Sequence, residues 1–140
     1  MKKIFACSAI PFLFGLISFG QVKVPDAVKT AFNSKFPGAS EIKWEKESKD
    51  ELEANFKMNN TDVSANFKLD GRWVETETTI PAGELPAAVT NAVNGKYPKA
   101  IFFRTERIEK PAGKTLYEVN IKVNGKKKEL EMNPDGTIVE

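Results

Sequence analysis

The chain contains no histidine and only one cysteine, Cys7. The lack of histidine excludes Ser-His-Asp and Cys-His catalytic systems and removes the commonest metal ligand. The single cysteine excludes a disulfide within the chain. Glycine-rich phosphate-binding loops are absent as well. The sequence therefore predicts a protein that is not an enzyme, with no catalytic residues, no bound cofactor and no metal.

Carboxylates are the remaining side chains that could carry out catalysis. The sequence does not exclude a hydrolase that uses only carboxylates. Glu53, Glu118, Glu129 and Glu131 lie on polar faces of predicted strands among lysine and asparagine. We interpret them as part of a solvated, charge-mixed surface. Asp70-Gly71 could suggest a calcium site, but a calcium loop needs further oxygen ligands at fixed spacing. We interpret this pair as an ordinary turn.

Long hydrophobic runs are also scarce, and the one present is at the start of the chain. Ile4 to Phe19 spans 16 residues, fewer than the roughly 20 that a membrane-spanning helix needs. Lys2 and Lys3 precede it, and Ser18-Phe-Gly20 follows as a small-x-small cleavage site. We predict a signal peptide over residues 1–20, a periplasmic or secreted location, and no stable membrane anchor after cleavage.

The numbers of positively and negatively charged side chains are nearly equal. The chain has 21 Lys and Arg and 19 Asp and Glu, and removal of Lys2 and Lys3 makes the numbers equal. A nucleic-acid-binding protein usually carries a basic stripe, so this balance argues against a nucleic-acid partner. It argues equally against electrostatic docking on a membrane.

An internal repeat is the main positive feature. Residues 24–37, VPDAVKTAFNSKFP, return as residues 85–98, LPAAVTNAVNGKYP. The segment LEANFKMN at residues 52–59 returns as YEVNIKVN at residues 117–124, with four extra residues near Pro111. We predict one domain over residues 21–140, built from repeats 24–78 and 85–140 that share a core.

Each repeat has the pattern of one helix followed by strands. Val28, Phe32 and Phe36 recur every four residues between two prolines, which predicts an amphipathic helix. Strict alternation follows over residues 52–58 and 63–69, around the turn signal Asn59-Asn60, and Asn124-Gly125 is the stronger turn signal at the same place in the second repeat. The predicted fold is α+β, with two tandem repeats that each pack one helix on a roughly four-stranded antiparallel sheet. The last strands are expected at 72–78 and 137–140.

The uncovered face of the sheet is the candidate interface. If alternation holds, an inward Val74 places Trp73 outward with Glu75 and Glu77. An inward Phe103 likewise places Phe102 outward beside Arg104 and Glu106. Exposed aromatic residues among mixed charges are typical of protein interfaces. We predict that Trp73, Phe102, Arg104 and Glu75 contact a protein partner. The alternative is that Trp73 packs at a sheet edge. Trp44 shares its parity with Ile42 and is predicted to lie in the core.

The repeat also resembles a known family. Val24-Pro25 with Phe36-Pro37, and Leu85-Pro86 with Tyr97-Pro98, are each followed by hairpins and a closing Asp-Gly. This pattern resembles the PepSY-like family of small periplasmic proteins described as beta-lactamase-inhibitor-like. The resemblance implies a concave sheet and an inhibitory role toward a peptidase or a beta-lactamase. The true beta-lactamase inhibitor protein is disulfide-bonded, so no inhibitor residues are transferred to this chain.

Two functions follow as hypotheses. The first is a non-catalytic binding protein of the cell envelope that inhibits or modulates an envelope enzyme. The second is a protein that binds a small apolar ligand between helix and sheet. Large side chains such as Phe32, Phe56 and Phe67 argue against an internal cavity of that kind.

Overall fold

The computed structural model of the protein describes residues 22–139. The signal peptide predicted for residues 1–20 lies outside the described residues. The elements in chain order are α1 (Asp26–Lys35), β1 (Ser40–Lys46), β2 (Glu51–Met58), β3 (Thr61–Lys68), β4 (Trp73–Thr79), α2 (Ala87–Lys96), β5 (Ile101–Glu109), β6 (Thr115–Val123) and β7 (Lys126–Met132). Within residues 22–139, no helix has the length and apolar character that crossing a membrane requires.

The strands form one antiparallel sheet of seven strands, in the order in which they follow one another along the chain. The α+β class is therefore confirmed, but the two separate four-stranded sheets are not observed. Thr76–Thr79 of β4 pairs with Glu106–Glu109 of β5, which joins the first strands to the later ones. The strand predicted at 137–140 is reduced to a single bridge between Met132 and Ile138.

Both helices begin after a proline and end before one. Pro25 and Pro86 hold the extended conformation that precedes α1 and α2, and each lacks only an N–H that needs no partner there. Pro37 and Pro98 follow the helix ends and prevent continuation. Asp26 in the first turn of α1 and Lys35 in its last turn also suit the helix dipole.

The predicted hairpin turns are confirmed. Asn59 and Asn60 connect β2 to β3 with positive φ angles of 50° and 64°. Asn124 and Gly125 connect β6 to β7 with φ angles of 49° and 78°. Asparagine and glycine tolerate this left-handed conformation, and turns of this kind match the twist of the paired strands.

The two helices cover the same side of the sheet. A single cross-strand row on that side runs through Val63, Thr78, Arg107, Tyr117 and Met132, from β3 to β7. The buried apolar residues under the helices nevertheless form two clusters rather than one shared core. The first consists of Val28, Phe32, Leu52, Ala54, Phe56, Val63, Ala65 and Phe67, and the second of Ile80, Leu85, Val89, Val93, Val119, Ile121 and Met132.

Two glycine turns hold the sheet against the helices at equivalent places. A Cβ on Gly71 would lie 2.7 Å from the carbonyl oxygen of Ala27 in α1. A Cβ on Gly136 would lie 2.5 Å from the carbonyl oxygen of Ala88 in α2. Both glycines have φ near 90°, so conformation and close approach together require glycine. The two Asp-Gly motifs are thus the points where each turn touches its helix.

Candidate functional site

The open face is the side of the sheet opposite both helices, and its centre is rich in carboxylates. Glu106, Glu118 and Glu131 are direct cross-strand neighbours on β5, β6 and β7. Glu77 on β4 lies beside them, opposite Ile108 of β5. Like charges in directly opposed positions repel one another. The register of the strands, rather than any sequence motif, concentrates these acids.

Burial and mutual repulsion change the acidity of this group. Burial raises the pKa of Glu77 to about 8, and the negative charges of Glu106 and Glu118 add to the shift. Burial likewise raises the pKa of Glu118 to about 7, and Glu129 and Glu106 contribute. Both side chains therefore hold a proton at pH values where an exposed glutamate has lost it. Strongly shifted acids in one cluster are typical of functional sites and of structural charge networks alike.

Apolar side chains lie among these acids. Ile108 and Leu116 are paired across β5 and β6 on the open face, and each is almost fully buried although α1 and α2 lie on the other side of the sheet. They lower the local polarity around their neighbour Glu77. This surrounding explains why loss of hydration is the main cause of its raised pKa.

Cations and amides offset part of the negative charge. Arg104 binds Glu106 at 2.8 Å, and the Glu106 side chain is almost fully buried. Asn120 Nδ2 donates a hydrogen bond of 2.6 Å to Glu118 Oε1. Lys110, next to the extra residues of the second half, lies 3.0 Å from Glu75 on β4 and 4.0 Å from Glu131 on β7. The face is therefore a linked network of charges across β4 to β7.

The structure separates the four residues predicted to form an interface. Glu75 and Arg104 lie on the open face, opposite Asn66 and Asn120 respectively. Trp73 and Phe102 lie on the helix side, where Trp73 packs against the first core cluster and Phe102 against the second. The prediction that both aromatic side chains point outward is wrong.

Two β-bulges explain the error. Trp73 pairs with Phe67 while Glu75 pairs with Asn66, so Val74 is an extra residue in β4. In β5 the register shifts between Phe102 and Arg104 in the same way, with Phe103 as the extra residue. One extra residue reverses the alternation of side chains beyond it. Phe103 is consequently the exposed aromatic residue, at 48%.

Trp73 is fixed by specific contacts on the helix side. Its Nε1 donates a hydrogen bond of 2.9 Å to Thr76 Oγ1. The Nζ of Lys35, at the end of α1, lies 3.6 Å from the centroid of the indole ring, which is a close cation–π contact. Trp44 also packs against this cluster, as predicted, with its ring 5.2 Å from that of Phe32. These side chains fill the space between α1 and the sheet.

A groove lies on the helix side of the second half, with a volume of about 420 Å³. It runs between α2, β7 and the segment that follows the Gly136 turn. Its lining residues are Ala92, Val93, Lys96, Tyr97, Leu130, Met132, Gly136, Thr137 and Ile138. It is the place that the small-ligand hypothesis would use. Over the described part of the chain, no group of acidic, histidine or cysteine side chains has a geometry that would hold a metal ion.

Alternation along β4 predicts that Glu77 points outward with Glu75, but it does not predict that Glu77 lies at the centre of the open face. Alternation identifies Glu118, Glu129 and Glu131 as polar-face residues of their strands, but it does not say which strands are neighbours. The pairing of β4 with β5 brings Glu77 next to the acids of the second half. A glutamate in each of several successive strands was the only available signal.

Comparison with known proteins gives one family and several solved structures of similar fold. The model of the PepSY-like family, described as "putative beta-lactamase-inhibitor-like, PepSY-like", matches residues 50–140. Comparison with curated proteins gives no match.

Three solved structures similar to this chain come from species of Bacteroides. A protein from Bacteroides eggerthii, described as a putative periplasmic protein, has a TM-score of 0.77 and 24% identity over 85% of this chain and 88% of its own. A DUF2874 family protein from Bacteroides ovatus has a TM-score of 0.74 and 23% identity over 85% and 86%. A BLIP-like protein from Bacteroides fragilis has a TM-score of 0.72 and 24% identity over 86% of each chain. At these identities the likeness shows a shared fold.

Proposed function

Because the chain belongs to the PepSY-like family, we propose that it is a non-catalytic binding protein of the cell envelope that docks a protein partner on the open face of its sheet. The partner surface is basic. The supporting observation is the acidic centre of that face, where burial, together with the negative charges of neighbouring glutamates, raises the pKa of Glu77 and of Glu118. A lysine or arginine from a partner would form a charge-assisted hydrogen bond with the partly exposed Glu77, and its charge would favour ionisation of Glu77 and of the nearby buried Glu118.

The same reasoning gives the interface residues their roles. Glu75 and Arg104 lie at the border of the acidic centre and are retained from the predicted interface. In the proposed interface, Glu77, Glu118 and Glu129 take the place of Trp73 and Phe102, which lie on the helix side. Electrostatic complementarity of this kind contributes mainly to association rate and to choice of partner.

We propose further that the partner is an envelope enzyme, such as a peptidase or a beta-lactamase, and that binding inhibits or modulates it. Two facts support this proposal: the family description and the fold shared with a protein described as BLIP-like. Fold likeness by itself does not establish an activity. Assays of purified beta-lactamases and envelope peptidases with added protein test it directly. Unchanged rates at saturating protein would contradict the inhibitory role.

The location and the repeat belong to the same proposal. We infer a periplasmic or secreted protein, supported by the signal pattern in residues 1–20 and by the description of the Bacteroides eggerthii protein. We also infer that residues 24–78 and 85–140 arose as copies of one unit within a single domain. The matching contacts of Gly71 with Ala27 and of Gly136 with Ala88 support this origin.

The experiment is capture from an envelope extract followed by measurement on the captured protein. The double variant Glu77→Gln with Glu118→Gln keeps the shape of the face and removes the two carboxylates whose pKa is raised most. We expect at least tenfold weaker binding to the partner, and weaker binding of the unchanged protein as salt is added. Glu84→Gln, an exposed change outside the sheet, is the matched control. Equal binding by the double variant and the control would contradict the proposed face.

The small-ligand hypothesis remains as a second candidate because of the groove beside α2. The interior under α1 does not favour it, since the ring centroids of Phe32 and Phe56 are only 5.0 Å apart and fill the core. The groove is open to the surface and lies on the helix side, away from the acidic centre. The two candidate functions therefore use different sides of the sheet and can be tested separately.

A further inference from the structure

The groove beside α2 corresponds, through the repeat, to a site in the first half of the chain that the side chain of Trp73 occupies. Trp73 pairs across the strands with Phe67, and Ile138 pairs with Met132 in the corresponding position after the second Asp-Gly turn. Trp73 packs against the first core cluster, to which α1 contributes Phe32. The sequence repeat places Val93 of α2 in the equivalent position. Smaller side chains at two facing positions, Ile138 and Val93, leave the space that the groove occupies.

The cation of the first half is also retained. Lys35 stacks its Nζ on the indole ring of Trp73 at 3.6 Å from the centroid. The repeat aligns Lys96 with Lys35, and Lys96 lines the groove. Lys96 Nζ lies 5.8 Å from the ring centroid of Tyr97, and Lys35 Nζ lies 5.9 Å from that of Phe36, the equivalent residue, so the two lysines keep the same position on their helices. The groove therefore keeps a cation and an apolar floor suited to an aromatic ring, with no tryptophan from the chain to fill it.

The backbone of the bridged segment beside the groove favours a polypeptide as the source of that ring. The segment after Gly136 pairs with β7 through the carbonyl of Thr137, which accepts from Asn133 N–H, and the N–H of Val139, which donates to the Glu131 carbonyl. Backbone groups alternate in direction along a strand, so the N–H and C=O of Ile138 point away from β7. A peptide strand that adds to such an edge places alternate side chains into neighbouring pockets.

We propose that this groove binds an aromatic side chain, of the tryptophan or phenylalanine class, from a partner polypeptide whose strand lies along the Ile138 edge. The ring takes the position that Trp73 has in the first half, over Met132 and Val93 and under the Nζ of Lys96. The volume of about 420 Å³ is within the range of about 300–1,000 Å³ that is common for ligand pockets. This site goes beyond the proposed function, because it lies on the other side of the sheet from the acidic centre.

The test uses the purified protein and two short capped peptides of alternating threonine and valine, which differ only in a central tryptophan or alanine. Nuclear magnetic resonance titration follows the backbone amide signals of Ala92, Tyr97 and Ile138. We expect the tryptophan peptide to shift these signals in a saturable way and to bind at least tenfold more tightly than the alanine peptide. Free N-acetyl-tryptophanamide is expected to bind more weakly than the tryptophan peptide, because it cannot pair along the edge.

Two variants separate the groove from the rest of the surface. Ile138→Trp supplies the ring from within the chain, so we expect a higher melting temperature and at least tenfold weaker peptide binding. Lys96→Met keeps the length of the side chain and removes the charge. It should weaken binding roughly two- to fivefold, the scale of an exposed cation–π contact. Lys35→Met, the same change in the first half, is the control and should leave peptide binding unchanged.

The results that would overturn the proposal are distinct. If the backbone amide signals do not shift at millimolar tryptophan peptide, an aromatic site is excluded. The same holds if the tryptophan and alanine peptides give equal shifts. Binding of N-acetyl-tryptophanamide as tight as that of the peptide would contradict a polypeptide partner and point to a free aromatic compound. Undiminished binding by both Ile138→Trp and Lys96→Met would place the interaction elsewhere.

Discussion

At the scale of single residues, Trp73 and Phe103 are the two aromatic side chains whose burial in the structure differs from the prediction by alternation. Trp73 is half-buried between α1 and the sheet, with a hydrogen bond to Thr76 and a cation above its ring. Phe103 is the extra residue of a bulge, is 48% exposed, and has Lys127 Nζ 5.3 Å from its ring centroid. Their roles are opposite to those that alternation along the strands indicates.

Replacement of Trp73 by alanine should therefore lower the free energy of unfolding rather than weaken binding to a partner. We expect Trp73→Ala to lower the free energy of unfolding by about 2 kcal/mol or more, because large-to-small changes in packed sites cost about 3–5 kcal/mol for fully buried aromatic residues. Phe103→Ala should change it by less than about 0.5 kcal/mol, as exposed substitutions usually do. Urea unfolding of both variants measures the difference. A smaller loss for Trp73→Ala than for Phe103→Ala would contradict the observed packing.

The glycine turns give a second prediction at this scale. Gly136→Ala adds a Cβ that meets the Ala88 carbonyl oxygen at 2.5 Å and also strains a backbone with φ of 87°. Gly38→Ala strains a similar backbone, with φ of 90°, but its Cβ meets nothing within 4 Å. We expect the first change to cost at least about 1 kcal/mol more than the second, since only the first displaces α2. Thermal melting of the two variants side by side measures the difference.

At the scale of elements, the open face of the sheet makes stability depend on pH. The folded-state pKa of Glu77 is raised to about 8, while the unfolded value is near 4.5. Between these values the folded protein holds a proton that the unfolded chain has released. The derivative of the unfolding free energy with respect to pH is then negative. Stability is fully present below about pH 4.5 for this group and is lost as the pH rises through about 8.

We therefore expect the melting temperature to fall between pH 5 and pH 9. The contribution of a shifted group is about 1.4 kcal/mol for each unit of pKa difference, which makes Glu77 and Glu118 together the main source of the slope. Glu77→Gln should flatten the profile and should raise the melting temperature at pH 9. Calorimetry from pH 5 to pH 9 on the unchanged protein and on Glu77→Gln checks this. A melting temperature that rises toward pH 9 in the unchanged protein would show that these acids are not desolvated.

At the scale of the whole molecule, the continuous sheet joins two separate core clusters. The link consists of the pairing of Thr76–Thr79 with Glu106–Glu109 and of the Thr105 hydroxyl, which donates a hydrogen bond of 2.6 Å to the Ile80 carbonyl oxygen. Ile80 itself belongs to the second cluster, although it follows directly after β4. The chain thus anchors the end of its first half in the core of its second half.

We expect this link to make the protein unfold in one cooperative transition. Phe56→Ala in the first cluster and Ile121→Ala in the second should each cost about 2–5 kcal/mol and should shift the same transition. Urea unfolding, monitored by tryptophan fluorescence and by far-ultraviolet circular dichroism, reports on the first half and on the whole sheet respectively. Two separated transitions in either variant would show that the halves unfold independently.

Export concerns the whole chain as well. The charged start, the apolar run and Ser18-Phe-Gly20 predict cleavage before Gln21. Mass spectrometry of the protein isolated from its host is expected to find Gln21 as the first residue. A soluble protein that still begins at Met1 would contradict export.

The sequence by itself determined the elements and the class of the fold. The prolines fix where α1 and α2 begin and end, the asparagine turns fix two hairpins, and alternation over residues 52–58 and 63–69 identifies strands with one apolar face. These features are local, because propensity, turn conformation and side-chain alternation depend on a few neighbouring residues. The resemblance to the PepSY-like family, carried by the same local motifs, is confirmed for that reason.

Only the tertiary structure decided which side chains share a face and which strands are neighbours. An extra residue at Val74 or Phe103 leaves the local pattern looking regular, yet it reverses the side on which Trp73 and Phe102 lie relative to Glu75 and Arg104. The pairing of β4 with β5 turned two halves into one sheet and brought Glu77 beside Glu106 and Glu118. Strand register and pairing depend on contacts between residues far apart in the chain, and the acidic centre and the groove beside α2 exist only through those contacts.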